Sequence, residues 1–222
     1  MYAQSVLIVF LKAPLIRHVK TRLASTIGHD KAREVYLAMV KDLYKNINGV
    51  NAETCFYVDK KLGLGNLLPE KYSNNVFLQK GNDIGIKMYN AFKEVFFKGA
   101  DKAVLIGSDI PQIHSKLINE YLIKLDRYSL VLGPSLDGGY HLIGCRKVML
   151  NIKLFKNISW SSPAVLNQTE KIAEKQGLKY LEGKTLIDID TFSDLLKVVQ
   201  NTEYKSCLKN LIKLVKQNNW TE

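Results

Sequence analysis

Residues 103–112 read AVLIGSDIPQ, and the fold turns on them. Ala103, Val104, Leu105 and Ile106 form a short, unbroken apolar run with no polar face. Such a run is a strand of a parallel sheet covered by helices on both faces. Gly107 lets the backbone turn where the run ends. Ser108 and Asp109 then leave the sheet at its carboxyl edge, and Pro111 blocks immediate helix formation. In an open α/β sheet the ligand crevice lies outside the carboxyl ends of the strands. Asp109 is therefore an acid where ligands bind, suited to Mg²⁺ or Mn²⁺, which take hard oxygen donors and bridge to substrate phosphates. The competing reading, that Asp109 caps the helix starting near Ser115 or closes the turn, stands equal beside it.

Toward the amino terminus, Ser5 to Leu11 (SVLIVFL) reads as a second buried strand. It is too short to span a membrane and lacks the basic leader and small-residue cleavage site of a signal peptide. The loop from Lys12 to Thr26 carries Lys12, Arg17, His18, Lys20 and Arg22 within eleven residues. Clustered like charges are costly unless an anion sits among them. A phosphate-binding loop is favoured over a solvated one. Neither GxxxxGK[ST] nor GxGxxG is present, which excludes a P-loop and a dinucleotide fingerprint.

The remaining segments predict an α/β chain. Gly28 to Ile47 has a helical apolar stripe that serves the core. Glu53 to Val58 and Val76 to Gln79 read as strands, Asp59 to Glu70 as a loop, and Gly63-Leu64-Gly65 as a turn. KGNDIG at 80–85 precedes a helix over Ile86 to Phe97, with Lys87 in its first turn, unfavourable for a cation unless it faces an anion. Ser115 to Leu125 is amphipathic, and Leu130 to Leu132 is a buried strand. Asp137-Gly138-Gly139-Tyr140 suggests either close backbone approach to a ligand or a plain hairpin turn, with His141 to Cys145 as the returning strand. Ile158 to Thr169 enters a helix with Ser161 or Ser162 as cap and Pro163 at its first position. Trp160 either stacks on a ring or plugs the core. Thr185 to Ile189 reads as a last strand. Asp188 and Asp190, spaced by two, share one face, as a second metal ligand would require, unless Asp190 or Thr191 caps the next helix. Glu203 to Gln217 reads as a final amphipathic helix. No repeat or linker divides the chain, so residues 1–222 are expected to form one domain.

Composition sets bounds. Of 222 residues, 46% are hydrophobic, enough for a core and against disorder. The formal net charge is +11 and the pI about 9.4, which favours a phosphate-rich partner. The lysines are scattered, and no dense basic block interleaved with aromatics marks a nucleic-acid binder. Cys55, Cys145 and Cys207 are odd in number and far apart, as expected of reduced, mostly buried thiols in a cytoplasmic protein.

Four segments together resemble a little-characterised bacterial family of GT-A-fold transferases, often labelled glycosyltransferase or selenodomain-associated transferase. FLKAPLIRHVKTRL is similar to F-x-K-A-P-x-P-G-x-V-K-T-R-L, and QKGNDIGIKM to Q-x-G-x-D-L-G-x-R-M. The other two are IGSDIPQI with GPSLDGGYHLIG, and ISWSSPAVLNQT with LIDIDTFSDL. The resemblance spans about residues 5–195 and implies a GT-A-like single domain, with a mixed, mostly parallel sheet and helices on both faces. It implies a nucleotide or nucleotide-sugar as substrate, an unknown acceptor, and Mg²⁺ or Mn²⁺ as cofactor. Lys12, Ala13, Pro14, Lys20, Thr21, Arg22 and Ser108 would hold the nucleotide's phosphates, with Asp83 and Lys87 near the base or ribose. Asp109 and Asp190 would bind the metal. Asp137 would join Asp109, Lys20 and Arg22 in catalysis, and Gly138, Gly139, Tyr140 and Trp160 would line the acceptor side. Ile16 and Arg17 depart from the family's Pro-Gly, and Lys87 from its Arg. The first reading is a glycosyltransferase using a sugar nucleotide. The alternatives are a guanylyltransferase-like nucleotidyltransferase that releases pyrophosphate and a nucleotide-binding protein without turnover.

Overall fold

Alternating side chains on buried strands divide the core in two. The computed structural model describes residues 4–64 and 67–220; Gly65, part of the turn expected at 63–65, lies outside them. Strands form at Ser5–Leu11 (β1), Glu53–Val58 (β2), Val76–Leu78 (β3), Lys102–Gly107 (β4), Leu130–Pro134 (β5), Tyr140–Arg146 (β6) and Tyr180–Glu182 (β7). Helices form at Thr21–Ile27 (α1), His29–Asn46 (α2), Ile84–Phe97 (α3), Ser115–Lys124 (α4), Val165–Lys175 (α5), Phe192–Gln200 (α6) and Lys209–Gln217 (α7). The strand order is β3-β2-β1-β4-β6-β5-β7. All neighbours pair parallel except β6, which runs antiparallel to both β4 and β5.

On one face Leu7, Val9, Leu11, Val104 and Ile106 pack with Val35, Met39 and Leu43 of α2, Ile118 of α4, Val198 of α6 and Leu211 of α7. On the other, Val6, Ile8, Phe10, Ala103 and Leu105 meet Met88, Phe92 and Val95 of α3 and Ala173 of α5. The expected mixed sheet with helices on both faces is thus observed. Parallel pairing of β1 with β2 and β4 brings their carboxyl ends to one edge, where Lys12, Asp59 and Asp109 emerge.

Several local expectations are corrected. The basic loop ends at Lys20, because Thr21–Ile27 is helical and buries Leu23 and Ala24. Residues 185–189 form no strand; only Leu186 bridges, to Ser135, while the unexpected β7 lies just upstream. The final helix begins at Lys209, after a 3₁₀ turn at Thr202–Tyr204. Helix α5 starts at Val165 without a side-chain cap, so neither Ser161 nor Ser162 caps it as expected.

Candidate functional site

The loop after β1 is pinned at three points. Tyr36 of α2 is buried; its hydroxyl accepts from Lys12 N and donates to Lys12 O, both at 2.9 Å. Asp59, the first residue after β2, accepts from Ala13 N at 2.7 Å and pairs with His18 Nε2 at 2.5 Å. The carbonyl of Pro14 accepts from Arg33 Nε at 2.6 Å. The loop ends at Lys20, which holds left-handed backbone (φ 50°) as α1 begins.

That geometry aims Lys20 at two acids. Its Nζ lies 2.5 Å from Asp109 Oδ1 and 3.2 Å from Asp190 Oδ1. Asp190 is delivered by the segment before α6, which is tied to Asp109 itself: Ile189 N donates to the Asp109 carbonyl at 3.0 Å. Arg22 NH1 reaches Asp190 Oδ2 at 3.5 Å from a side chain that is 71% exposed. The Lys20 side chain is only 4% exposed, that of Asp109 34%. Burial opposes the Lys20 charge, but the two carboxylates outweigh it and hold its pKa above the ordinary lysine value. Burial likewise opposes the Asp109 charge, yet Lys20 leaves that carboxyl below the ordinary range.

For three of the five residues of the basic cluster the neutralising anion is therefore the protein's own. His18 is matched by Asp59, Lys20 by Asp109 and Asp190, and Arg22 by Asp190. The loop's lysine touches the acids directly, whereas charge counting along the sequence left that place to a phosphate.

Two crevices meet here and share Lys12 and Asp109. The smaller, about 130 Å³, is lined also by His18, Lys20, Thr21, Arg22, Tyr36 and Asp190. The larger, about 260 Å³, runs past Asp59, Gln79, Lys87, Ser108, Tyr140 and His141. A groove of about 710 Å³ beside Lys61, Leu68 and Glu70 is bigger but holds none of these acids or cations. Of the sequence candidates, Lys12, Lys20, Thr21, Arg22, Lys87, Ser108, Asp109, Tyr140 and Asp190 thus come together. The others stand apart from both linings. Asp83 caps α3, accepting from Ile86 N at 2.8 Å. Asp137 closes the β5–β6 hairpin, accepting from Gly139 N at 2.9 Å. Gly138 (φ 84°) sits so close to Pro163 that a side chain would strike its carbonyl oxygen. Trp160 packs edge-on to Tyr140 and over Gly85, as a plug.

Four polar groups of the site escaped the sequence reading, among them the Tyr36 hydroxyl, which that reading gave to the core stripe. Asp59 carried the same signal as Asp109, an acid directly after a strand's carboxyl end. Gln79 donates from Nε2 to the Leu11 and Tyr57 carbonyls, bracing the ends of β1 and β2. His141 is buried with Nδ1 2.9 Å from the Pro134 carbonyl, and burial pushes its pKa down to about 4. Asp188, read from the sequence as sharing one face with Asp190 for a second metal ligand, is pushed up to about 7, chiefly by burial and further by Asp137, Asp109 and Asp190.

The donor set suits a small hard divalent cation. Mg²⁺ is commonly bound by one or two carboxylates and completes its shell with waters and substrate phosphates. Asp109 and Asp190 supply two carboxylates close enough to share one ammonium. Among the described residues no cluster of three or more His, Cys, Asp or Glu could hold a metal by itself. A cation held by these two carboxylates would need its remaining ligands from water or a bound molecule.

Comparison with known proteins places the chain. The family described as "Uncharacterized protein conserved in bacteria" (DUF2064) matches residues 52–162, half of the sequence. The chain belongs to this family. A crystal structure from Desulfovibrio desulfuricans G20, provisionally described as a nucleotide-diphospho-sugar transferase, is 30% identical. It aligns over 97% of this chain and 98% of its own with a TM-score of 0.84. The 2-phospho-L-lactate guanylyltransferase of Methanocaldococcus jannaschii is 28% identical over 209 residues, 88% of this chain and 85% of that protein. A cytidylyltransferase from Leptospira borgpetersenii shares the fold at 14% identity, with a TM-score of 0.57 over 98% of this chain and 96% of its own. The protein is an enzyme of the transferase class, as the resemblance implied. Among the described residues no helix is long and apolar enough to cross a membrane.

Proposed function

We propose that the protein is a divalent-metal-dependent nucleotidyltransferase that moves a guanylyl group from GTP to an anionic acceptor and releases pyrophosphate. The observation that carries this reading is the convergence of Asp109, Lys20 and Asp190 at the carboxyl edge of the sheet, where the two crevices meet. The guanylyltransferase relatives, aligned over most of both chains, favour nucleotidyl over glycosyl transfer, which had been the first reading of the sequence.

In this reading Asp109 and Asp190 hold the metal, which when bound neutralises phosphate oxygens and aligns them. The nucleoside lies in the larger crevice, between Lys87, Gln79 and the backbone of the loop. The triphosphate lies over Lys12, Thr21 and Arg22 in the smaller one. An acceptor oxygen attacks the α-phosphorus; a bond forms there while the bond to the β-phosphate bridging oxygen breaks, and pyrophosphate leaves. Negative charge grows on the leaving oxygens, and Lys20, Lys12 and Arg22, which line the smaller crevice, stabilise it. The acceptor approaches from the β5–β6 hairpin side, past Tyr140.

The test is product analysis. Incubation with Mg²⁺, GTP and a panel of phosphorylated hydroxy acids, with 2-phospho-L-lactate first, should release pyrophosphate. Release of a free nucleoside diphosphate from sugar nucleotides, with none of pyrophosphate from GTP, would restore the glycosyl-transfer reading.

A further inference from the structure

We propose that Lys20 is a resident counter-ion that reserves the Asp109–Asp190 pair, so that the divalent cation enters with a polyphosphate and not alone. The inference builds on the nucleotidyltransferase reading but concerns the order in which that site fills. One ammonium, 4% exposed, sits against Asp109 Oδ1 at 2.5 Å and Asp190 Oδ1 at 3.2 Å. It therefore occupies the place between the two oxygens best suited to bind a cation.

The charge balance sets the order. Lys20 and its two carboxylates alone carry one negative charge, but Lys12 and Arg22 line the same crevice, and Arg22 leans on Asp190 from the solvent side, so the crevice already holds more cations than acids. A bare Mg²⁺ or Mn²⁺ would have to push Lys20 away from both acids. The ammonium would then be enclosed, unpaired and beside a like charge, an arrangement that costs several-fold to many-fold in affinity. A polyphosphate removes that penalty, because its oxygens receive the displaced ammonium and bind the metal at once. Lys20 can make the exchange without moving the main chain. Its carbonyl is fixed by the Ala24 N–H at 2.8 Å, while its four-carbon stem rotates. Metal and nucleotide affinities then rise together, and by equal factors, since such coupling is reciprocal.

The experiment measures Mn²⁺ binding to the whole protein by the spin-resonance signal of free Mn²⁺, with no nucleotide present. Wild type should bind weakly. Lys20→Gln should bind Mn²⁺ alone at least tenfold more tightly, and Lys20→Arg, which keeps a cation there, should stay near wild type. A Lys20→Gln variant that binds Mn²⁺ no better than wild type overturns the proposal. If that variant does not fold, the wild type decides by itself: GTP or inorganic pyrophosphate, corrected for their own Mn²⁺ binding, should raise Mn²⁺ affinity at least tenfold, and no rise overturns the proposal. Failure of GTP to bind in any combination, with the Mn²⁺ difference between variants intact, would sink the nucleotide reading and leave the counter-ion role standing.

Discussion

At position 17 an arginine is carried on left-handed backbone, φ 64°, where the family pattern has glycine. A side chain in that region is strained because its Cβ crowds the carbonyl oxygen, at about 1–2 kcal/mol. Part of this is offset because glycine would loosen the unfolded chain. Arg17→Gly should therefore stabilise the protein by about 0.5–1 kcal/mol, read as a higher midpoint in urea. Three residues on, the chain reaches Lys20 and its acids. Asp109→Asn keeps the shape of the side chain and removes its charge. Metal-dependent nucleotide binding should fall at least tenfold, and turnover should drop below detection, by calorimetry and by pyrophosphate release. A variant that retained both would remove Asp109 from the site. The pairing of Lys20 with Asp109 and Asp190 joins positions about ninety and one hundred and seventy apart in the chain; nothing in residue order announces it. The charge surplus of the loop was legible, but the identity of the neutralising anion was not.

Among the elements, the legible ones were those with an unbroken or alternating apolar signal. Strand β1 falls where its unbroken apolar run predicts, residue for residue, and β2 falls at Glu53–Val58 where its alternating residues predict; both are covered on two faces. Helix α1 was missed because its seven residues bury only Leu23 and Ala24, too few to show a period. Strand β7 was missed because YLE is three residues long and is a strand only by pairing with β5, fifty residues earlier. The segment LIDID alternates like a strand, yet only Leu186 is bridged. One clasp between helices was equally silent. Asp42, buried in α2, accepts from Asn210 N, Asn210 Nδ2 and Leu211 N at 2.9, 2.6 and 2.9 Å, and so caps α7. Removing an acceptor of several such bonds strands buried donors. Asp42→Ala should cost about 2–4 kcal/mol, measured by urea unfolding. Nucleotide affinity at a temperature where the variant is folded should not change, because the clasp is absent from both crevice linings.

For the whole molecule, the acid-rich edge makes stability depend on pH. Asp188 has a folded-state pKa of about 7 against a reference of 3.8. Between these values the folded chain keeps the proton and the unfolded chain loses it. The Asp188 contribution is thus greatest below about pH 4 and is lost as pH rises through about 7. Melting curves at pH 5 and pH 8 should show wild type losing stability at the higher pH. In Asp188→Asn that part of the loss should disappear. An identical difference in both proteins would mean that Asp188 ionises as it does in the unfolded chain.

The sheet has a further property, set by its outermost strands. β3 and β7, on the two flanks, are three residues each. Bare main-chain amides on a long, flat flank act as a template on which other chains can add strands without limit. Here each flank is only three residues long, too short to offer another chain such a template.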